Sequence, residues 1–452
     1  MEPTEARYAE ISREMLVSQD WLVPHLNGIP HFHKPPLSYW LSAAGMAILG
    51  VNEWGARLAA ALAAGFVLWC AWRIARDRGG ALAPWILASS VLFFALSHQL
   101  GSDIFLAATV AGFHAAVLGA RGRGSLWPYV AMGLGFMLKG PVVFVLTLGP
   151  VLLAAAWARN GSLLTWLQSW RGWILFALIA LPWYVIVLVK TPGLMTYFLK
   201  HQLLERYTST VHQRGGPIYY FIAVLLVGAL PWTWAALKRL FSAAAAARRD
   251  PTDALLSSWV LLPFVFFSFS GSKLPAYILP CFPALAVLGS RWPAEARRAF
   301  WLRAAVVTFA VFLATLAAIT PFDDRLSSTR SLVRILRERR QPGEHVVEYA
   351  TFSAGVPFYL GETVPMLEVP RDLGFEGAEE HARAILARED LARMVHTQGR
   401  VWVVGPKSSV FVLAYALGFR ATHVAGFRDR SLLSLEPRTG TAPDSTSTKA
   451  QP

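Results

Sequence analysis

Charged residues are scarce in this sequence. Asp, Glu, Lys and Arg make up only 15% of its 452 residues, whereas hydrophobic residues make up 55% and the mean hydropathy is +0.42. A soluble domain of this composition would expose large apolar patches. The composition therefore excludes an ordinary soluble protein and favours an integral membrane protein.

Cysteine is equally rare. The two cysteines, Cys70 and Cys281, both lie inside apolar runs. Neither cysteine has the spacing of a metal ligand or lies in a loop, so we expect both side chains to pack inside helices. The polar N-terminus does not have the pattern of a signal peptide, so we expect none in the chain.

Apolar runs long enough to cross a bilayer recur between residues 55 and 320. A membrane-spanning helix needs about 20 predominantly apolar residues, with a range of about 17–25. The runs predict a transmembrane helical domain over residues 55–320 with about ten spans. The predicted spans lie near 55–72, 80–97, 103–120, 126–138, 140–157, 172–190, 217–236, 256–270, 274–290 and 300–320.

Basic residues are distributed unevenly among the loops that connect these runs. The net charge is +14, which in a soluble protein would suggest nucleic-acid binding. Clusters occur in alternate loops, at Arg73, Arg76 and Arg78; Arg121 and Arg123; Arg159 and Arg171; Lys238, Arg239, Arg248 and Arg249; and Arg291, Arg297, Arg298 and Arg303. The positive-inside rule places these loops in the cytoplasm. The other loops, residues 1–54 and everything after 320 are then extracytoplasmic.

An extracytoplasmic N-terminus must be carried across the membrane. We therefore expect a preceding transmembrane helix that this sequence lacks. Residues 1–54 are predicted to form the first extracytoplasmic loop with amphipathic interfacial helices. Its apolar residues at helical spacing, Tyr8, Ile11, Met15 and Leu16, alternate with the charged residues Arg7, Glu10, Arg13 and Glu14, as in a helix at a membrane surface.

The composition changes again after residue 320. We expect a small α/β domain over residues 321–437, with a helix at 325–340 and strands at 345–349, 400–404 and 432–435. Residues 438–452 are rich in Thr, Ser, Pro and Ala, which predicts a disordered tail.

Asp103 is the only acidic residue between Asp77 and Glu205. It lies at the end of an otherwise apolar helix, where an ionisable group commonly faces a cavity or pathway. The alternative is structural, because Ser102-Asp103 is also an ordinary helix start.

Three lysines on the same predicted side, Lys34, Lys139 and Lys273, each precede proline directly or after one residue at a helix end. One such lysine would be a snorkelling anchor. Three of them, together with Arg7 and Arg206, favour a cationic pocket for a phosphate.

The histidines permit a metal hypothesis. His31 and His33 share one face of an extended segment, and His201 or His212 would complete a metal site. A solvated polar loop is the alternative. A divalent metal at His33 and His201 is therefore an open prediction.

These motifs resemble the family 39 membrane glycosyltransferases of the C-type superfamily. The similar segments are 5–16, 20–28, 33–37, Asp103, Lys139-Gly140, 181–183, 230–232 and 273–280. They cover roughly residues 3–290. The pattern is most similar to bacterial aminoarabinose transferases that modify lipid A, and more distantly to dolichyl-phosphate-mannose-protein mannosyltransferases.

The resemblance implies an α-helical polytopic membrane protein of the C-type glycosyltransferase fold, with a small C-terminal α/β extracytoplasmic domain. It also implies a polyprenyl-phosphate sugar donor. Catalytic roles are implied for Glu5 and Asp103, and donor phosphate binding for Arg7, Lys34, Arg206 and Tyr277. We expect Tyr8, Lys139 and Lys273 to bind the same phosphate. The sequence departs from the family at Thr4-Glu5, where an Asp-Glu pair is usual, and at His33, which replaces an acid.

We therefore expect a glycosyltransferase of the bacterial inner membrane, with its active site on the periplasmic side. The acceptor would be lipid A or another envelope glycolipid. Two alternatives remain: a transporter or flippase for a lipid-linked saccharide, and a non-catalytic homologue that binds polyprenyl phosphate. A transporter would favour inverted repeats, and the sequence has no evident internal repeat.

Overall fold

The computed structural model describes residues 3–77, 80–119, 125–198, 215–292, 297–326, 329–368, 385–427 and 430–438. The chain divides into two compact units. The membrane unit contains residues 15–24 and 32–318, and the sheet unit contains residues 1–14, 25–31 and 319–452. The predicted tail and the loop around Arg206 lie outside the described residues.

The membrane unit is almost entirely helical. Its helices are α2 (Leu37–Leu49), α3 (Glu53–Ala75), α4 (Leu82–Ala88), α5 (Val91–Ser97), α6 (Ser102–Gly119), α7 (Trp127–Lys139), α8 (Val142–Leu146), α9 (Leu148–Ala158), α10 (Trp170–Lys190), α11 (Leu194–Tyr197), α12 (Tyr220–Gly228), α13 (Thr233–Ala246), α14 (Pro251–Ser268), α15 (Phe282–Ser290) and most of α16 (Arg298–Leu326), with 3₁₀ helices at Gly161–Gln168 and Pro275–Cys281.

Five of the described helices are long and apolar enough to cross a membrane, and the count rises to six if α12 and α13, which are bent by 115°, form one span. Three shorter apolar helical segments, Leu37–Leu49, Val142–Ala158 and Pro275–Ser290, accompany them. The expectation of about ten spans came from apolar runs alone. It remains a prediction, because several of these runs fold as interrupted helices.

The run at 80–97 illustrates such an interruption. It forms α4 and α5, which are separated at Ser89 and Ser90. Their hydroxyls donate to backbone carbonyls of the preceding turn, Ser89 Oγ to Trp85 at 2.6 Å and Ser90 Oγ to Ile86 at 2.7 Å. Such side-chain bonds compete with the helical backbone pattern, so the helix ends there.

The sheet unit is built on a six-stranded mixed sheet. The order is β5-β4-β3-β6-β8-β7, in which β5, β4, β3 and β6 are parallel and β8 and β7 are antiparallel to their neighbours. The strands are β3 (His345–Tyr349), β4 (Met366–Leu367), β5 (Ile385–Leu386), β6 (Val401–Gly405), β7 (Phe419–Phe427) and β8 (Arg430–Pro437). The predicted strands at 345–349, 400–404 and 432–435 correspond to β3, β6 and β8.

Both faces of this sheet are covered by helices. The helices are α17 (Thr329–Arg339), α18 (Gly355–Leu360), α19 (Arg388–Gln398) and α20 (Lys407–Ala416). Successive strand side chains point to opposite faces. On β6, Val401 and Val403 pack with α19 and α20, whereas Trp402 and Val404 pack with α17. The C-terminal domain is therefore a layered α/β structure.

The first helix differs from the predicted amphipathic helix in the burial of its charged residues. The helix forms, as α1 (Pro3–Ser18), and is followed by a hairpin of β1 (His25–Leu26) and β2 (Ile29–Pro30). Glu10, Arg13 and Glu14 are nevertheless buried, at 0%, 4% and 8% relative exposure. Arg13 forms an ion pair with Glu10, and Glu14 accepts hydrogen bonds from the backbone N–H groups of Asn27 and Gly28. The interfacial location of this loop remains a prediction.

Candidate functional site

The sharpest polar feature of the membrane unit lies where α6 begins and α7 ends. Asp103 is in the first turn of α6, and Lys139 is the last residue of α7. An acid is favoured at a helix N-terminus and a cation at a C-terminus, because each complements the helix dipole. Gly140 ends α7 with a φ of 67°, in the left-handed region that glycine adopts without strain.

The two side chains form an ion pair. The Lys139 ammonium donates a hydrogen bond to Oδ1 of Asp103. The side chains are 12% and 28% exposed, respectively, so the pair is partly buried but accessible. Removing one partner of such a pair leaves the other charge poorly compensated. The two residues singled out from the sequence as the lone acid and a helix-end lysine are therefore direct partners.

Tyr277 joins this pair from the 3₁₀ helix at 275–281. The Lys139 ammonium lies 5.2 Å from the centre of the Tyr277 ring, within the range of a cation–π contact. The ring centre of Phe267, in the last turn of α14, lies 5.2 Å from that of Tyr277. We call Asp103, Lys139 and Tyr277 the acid–lysine cluster.

Lys273 is bonded within its own turn. Its ammonium donates to the carbonyl of Ser270, and the Ser270 hydroxyl donates to the carbonyl of Ser272 at 3.0 Å. The lysine is 8% exposed. This geometry assigns it a turn-stabilising contact, and its proposed contact with a phosphate remains a prediction.

The remaining predicted residues are distributed over both units. Glu5, Arg7 and Tyr8 lie on α1 in the sheet unit, where Arg7 is exposed and the other two are buried. Lys34 precedes α2 in the membrane unit and is half-buried. Arg206 lies outside the described residues.

The metal hypothesis gains no support from the described part of the chain. Within it, no group of three or more His, Cys, Asp or Glu side chains is arranged to hold a metal ion. The His33 ring stacks near that of Tyr197, with centres 6.3 Å apart and planes inclined by 22°. His201 is outside the described residues, so the predicted site at His33 and His201 remains untested.

A large apolar groove runs along the membrane unit beside the acid–lysine cluster. Its volume is about 1170 Å³, and it is lined by α2, α3, α6 and α7. Near the cluster its lining includes Phe105, two residues after Asp103, and Leu138, which precedes Lys139. On α3 the lining extends from Ala59 to Arg73, a length of roughly 21 Å at 1.5 Å per residue.

The two Leu-Pro-Trp motifs are explained by hydrogen bonds of their tryptophans. Trp183 donates from Nε1 to the carbonyl of Leu22 at 2.8 Å, which holds a first-loop segment against α10. Trp232 donates from Nε1 to the Ser89 hydroxyl at 2.8 Å, where α4 ends. Each tryptophan therefore links its own segment to another part of the membrane unit.

The sequence interpretation missed the role of Asn27. Asn27 and Gly28 connect β1 to β2 with positive φ angles of 55° and 77°. Asn-Gly between two short strands is a strong signal for a type I′ hairpin turn, so this pattern could have revealed the hairpin. Its burial depends on residues more than 330 positions away and could not be read locally.

The chain is similar in sequence to known membrane transferases. Residues 1–198 match the family model described as dolichyl-phosphate-mannose-protein mannosyltransferase. A Pseudomonas fluorescens undecaprenyl phosphate-alpha-4-amino-4-deoxy-L-arabinose arabinosyl transferase is 32% identical over 307 residues, which are 63% of this chain and 54% of that protein. A Yersinia enterocolitica protein of the same name is 31% identical over 331 residues, 69% of this chain and 58% of that protein.

The solved structures agree with these sequences. The crystal structure of ArnT from Cupriavidus metallidurans bound to undecaprenyl phosphate superposes with a TM-score of 0.78 at 24% identity, covering 96% of this chain and 93% of that chain. This chain is similar in sequence and in fold to these membrane glycosyltransferases. The resemblance expected from the sequence motifs is thereby confirmed.

The comparisons also confirm the predicted fold class. The archaeal oligosaccharyltransferase AglB from Archaeoglobus fulgidus, in complex with an inhibitory peptide and a dolichol-phosphate, is a more distant neighbour. Its TM-score is 0.50 at 11% identity, with 94% of this chain and 70% of that chain covered. The chain is a multi-pass membrane protein of the C-type glycosyltransferase fold with a small C-terminal α/β domain. It spans just over half the length of the curated relatives that it matches.

Proposed function

We propose that this protein is a glycosyltransferase of the bacterial inner membrane. It transfers a sugar from a polyprenyl-phosphate-linked donor to an envelope acceptor, lipid A or another glycolipid, on the periplasmic face. The observation that carries the proposal is the acid–lysine cluster at the end of an apolar groove. A lipid donor has an anionic headgroup that suits the cluster and a long hydrocarbon chain that suits the groove.

The cluster suits the chemistry of sugar transfer. In the reaction, the bond between the anomeric carbon and the phosphate oxygen breaks and a bond to the acceptor oxygen forms. The departing phosphate carries the electron pair, and a nearby cation stabilises its developing charge. Lys139 supplies that cation, with Arg7, Lys34, Arg206, Lys273 and the Tyr8 and Tyr277 hydroxyls as further proposed phosphate ligands.

A carboxylate is needed for the acceptor. Asp103 orients the acceptor hydroxyl or accepts its proton as the new bond forms. Lys139 donates to Oδ1 of Asp103, and we assign this role to Oδ2. Glu5, on α1, is the second proposed catalytic acid, in place of the usual family pair.

The distribution of basic residues supports a periplasmic location for the acid–lysine cluster. The loops with clustered arginines belong in the cytoplasm by the positive-inside rule. The Asp253–Arg291 ion pair, with a nitrogen–oxygen distance of 2.6 Å, belongs to an arginine-rich end. Asp253 precedes Phe267 by 14 residues on α14, so this end lies roughly 21 Å along the helix from the acid–lysine cluster.

The test uses purified full-length protein in vesicles of phosphatidylethanolamine and phosphatidylglycerol. Undecaprenyl-phosphate aminoarabinose and lipid A are supplied, and modified lipid A is measured by mass spectrometry. We expect product that depends on both substrates. Movement of the donor between leaflets without product would favour the transporter alternative, and donor binding with neither activity would favour a non-catalytic homologue. Comparing envelope lipids from cells with and without the gene identifies the acceptor.

A further inference from the structure

The first helix and the hairpin after it form one unit with the C-terminal domain. Residues 1–14 and 25–31 fall in the same compact unit as residues 319–452. The chain therefore returns, after more than 280 intervening residues of the membrane unit, to the element that carries Glu5 and Arg7. The contacts that join these segments are polar and specific.

The hairpin is bonded to α1 through a buried carboxylate. Glu14 accepts hydrogen bonds from the backbone N–H groups of Asn27, at 2.5 Å, and Gly28, at 2.9 Å. The turn holds these two N–H groups side by side, since both residues have positive φ. One carboxylate therefore fixes the turn relative to the helix.

The hairpin is bonded in turn to the C-terminal domain. Asn27 Nδ2 donates to the carbonyl of Val364 at 2.7 Å, and its Oδ1 accepts from the Val364 N–H at 2.8 Å. The side-chain amide thus replaces a strand in satisfying both backbone groups of Val364. Asn27 is 3% exposed, so these bonds are shielded from water. Leaving a buried backbone group without its partner is costly.

A second connection runs directly from α1. Arg13 makes a two-point ion pair with Glu10, from Nε at 2.7 Å and from a terminal nitrogen at 2.6 Å. Its other terminal nitrogen donates to the carbonyl of Gly361 at 3.1 Å. The planar guanidinium is thereby fixed at three points. Arginine is suited to this geometry because its donors form a rigid fork.

We propose that the C-terminal domain is a positioning device for α1, and that Arg13, Glu14 and Asn27 are its positioning residues. The inference rests on the proposed function, because Glu5 and Arg7 on the same helix are its proposed catalytic and phosphate-binding residues. The two connections meet α1 at its C-terminal half. They fix both its rotation about its axis and its displacement along that axis. A misplacement of about 1 Å at a reacting group is enough to lower a rate about 100-fold.

The test variant is Asn27→Gly. Glycine keeps the positive φ, and a Gly-Gly turn still closes a two-residue hairpin, whereas both bonds to Val364 are lost. The full-length protein in phosphatidylethanolamine–phosphatidylglycerol vesicles is examined by backbone hydrogen exchange and by transfer kinetics. We expect exchange across residues 3–18 to accelerate at least tenfold and kcat to fall at least tenfold, with exchange in β6 unchanged.

Trp402→Phe is the matched control. It removes a buried hydrogen bond of 2.7 Å from Trp402 Nε1 to Glu344, inside the C-terminal domain, with little change of shape. We expect it to lower the unfolding temperature without altering α1 exchange or kcat. Arg13→Lys keeps the charge opposite Glu10 but loses the fork, and we expect a smaller effect in the same direction as Asn27→Gly.

Two outcomes would overturn the inference. One is wild-type exchange in α1 of the Asn27→Gly protein, whatever its kcat. The other is accelerated exchange in α1 with an unchanged kcat, since the domain would then hold a helix whose placement has no effect on transfer. If the wild-type protein transfers no sugar, the proposed function fails, and the exchange measurement still reports whether the domain holds α1.

Discussion

Lys139, the last residue of α7, donates a hydrogen bond to Asp103 in the first turn of α6. The pair joins opposite helix ends of two consecutive helices, so each charge also complements its own helix dipole. The same lysine lies 5.2 Å from the centre of the Tyr277 ring. One cation therefore connects an acid and an aromatic side chain that are separated by 174 positions in the sequence.

Asp103→Asn is expected to lower sugar transfer at least 100-fold while the protein still inserts and folds, because the amide cannot accept the acceptor's proton. Initial rates in vesicles measure this effect. Asp253→Asn is the matched control, since Asp253 is also a first-turn acid in a partly buried ion pair of the membrane unit. Equal losses in both variants would show that ion pairing, rather than chemistry, explains the effect.

Two substitutions at Tyr277 separate its ring from its hydroxyl. Tyr277→Phe keeps the ring beside Lys139 and is expected to raise the KM for the donor several-fold, since it loses a proposed phosphate contact. Tyr277→Leu also removes the cation–π contact and is expected to lower kcat further, because Lys139 loses a positioning partner. Steady-state kinetics with varied donor check both. An unchanged KM in Tyr277→Phe would exclude the hydroxyl as a phosphate ligand.

Ala63→Phe tests the apolar groove. Ala63 lines the groove on α3, so a phenyl ring there fills space proposed for the polyprenyl chain. We expect the KM for a long-chain donor to rise about tenfold or more and that for a short-chain donor to change little. Ala61→Phe places the same ring two residues away on an exposed part of α3 and serves as the control. Equal effects of the two substitutions would contradict a lipid site in the groove.

The sheet unit is expected to lose stability as pH rises. Burial, followed by the nearby charge of Glu10, raises the pKa of Glu14 from 4.5 to about 8, against opposing hydrogen bonds from Gly28 and Asn27. The folded state thus binds this proton more tightly than the unfolded state. Stability from this group is fully present below pH 4.5 and is lost as pH rises toward about 8, by roughly 2–5 kcal/mol.

Thermal unfolding of the full-length protein in detergent, measured from about pH 5 to about pH 9, checks this expectation. Glu348 contributes in the same direction, because burial holds its pKa well above the ordinary value. Glu14→Gln cannot titrate and is expected to flatten the profile relative to the wild type. A wild-type profile that is no steeper than that of Glu14→Gln would refute the assignment.

Local patterns predicted a large part of the fold. The strand β3 is recognisable from the valines within its own segment. Asp103 is recognisable because acidic residues are rare in that part of the sequence. For Asp103 and Lys139, the sequence predicts only that both lie on the same side of the membrane. Their direct contact requires the packing of α6 on α7, which hydropathy does not specify.

Other features depended on distant partners. Local spacing predicts that the charged residues of α1 form one face of an interfacial helix, because no local signal indicates that Arg13 meets Gly361 or that Asn27 meets Val364. For Lys273, by contrast, the partner is close in the sequence. Its Lys-Leu-Pro setting suggested a ligand, yet its ammonium is bonded to Ser270 three residues earlier.

The joining of α1 to the C-terminal domain has a consequence for biosynthesis. The helix ends at Ser18, but its partner Gly361 is made more than 340 residues later. At about 5–20 residues per second, that interval is roughly 17–70 s. During this time Glu10, Arg13 and Glu14 have no C-terminal domain to bury them. The packing of α1, which carries Glu5 and Arg7, against the C-terminal domain is therefore a late step that follows membrane insertion. A chain that is truncated before residue 361 would be inserted without this packing.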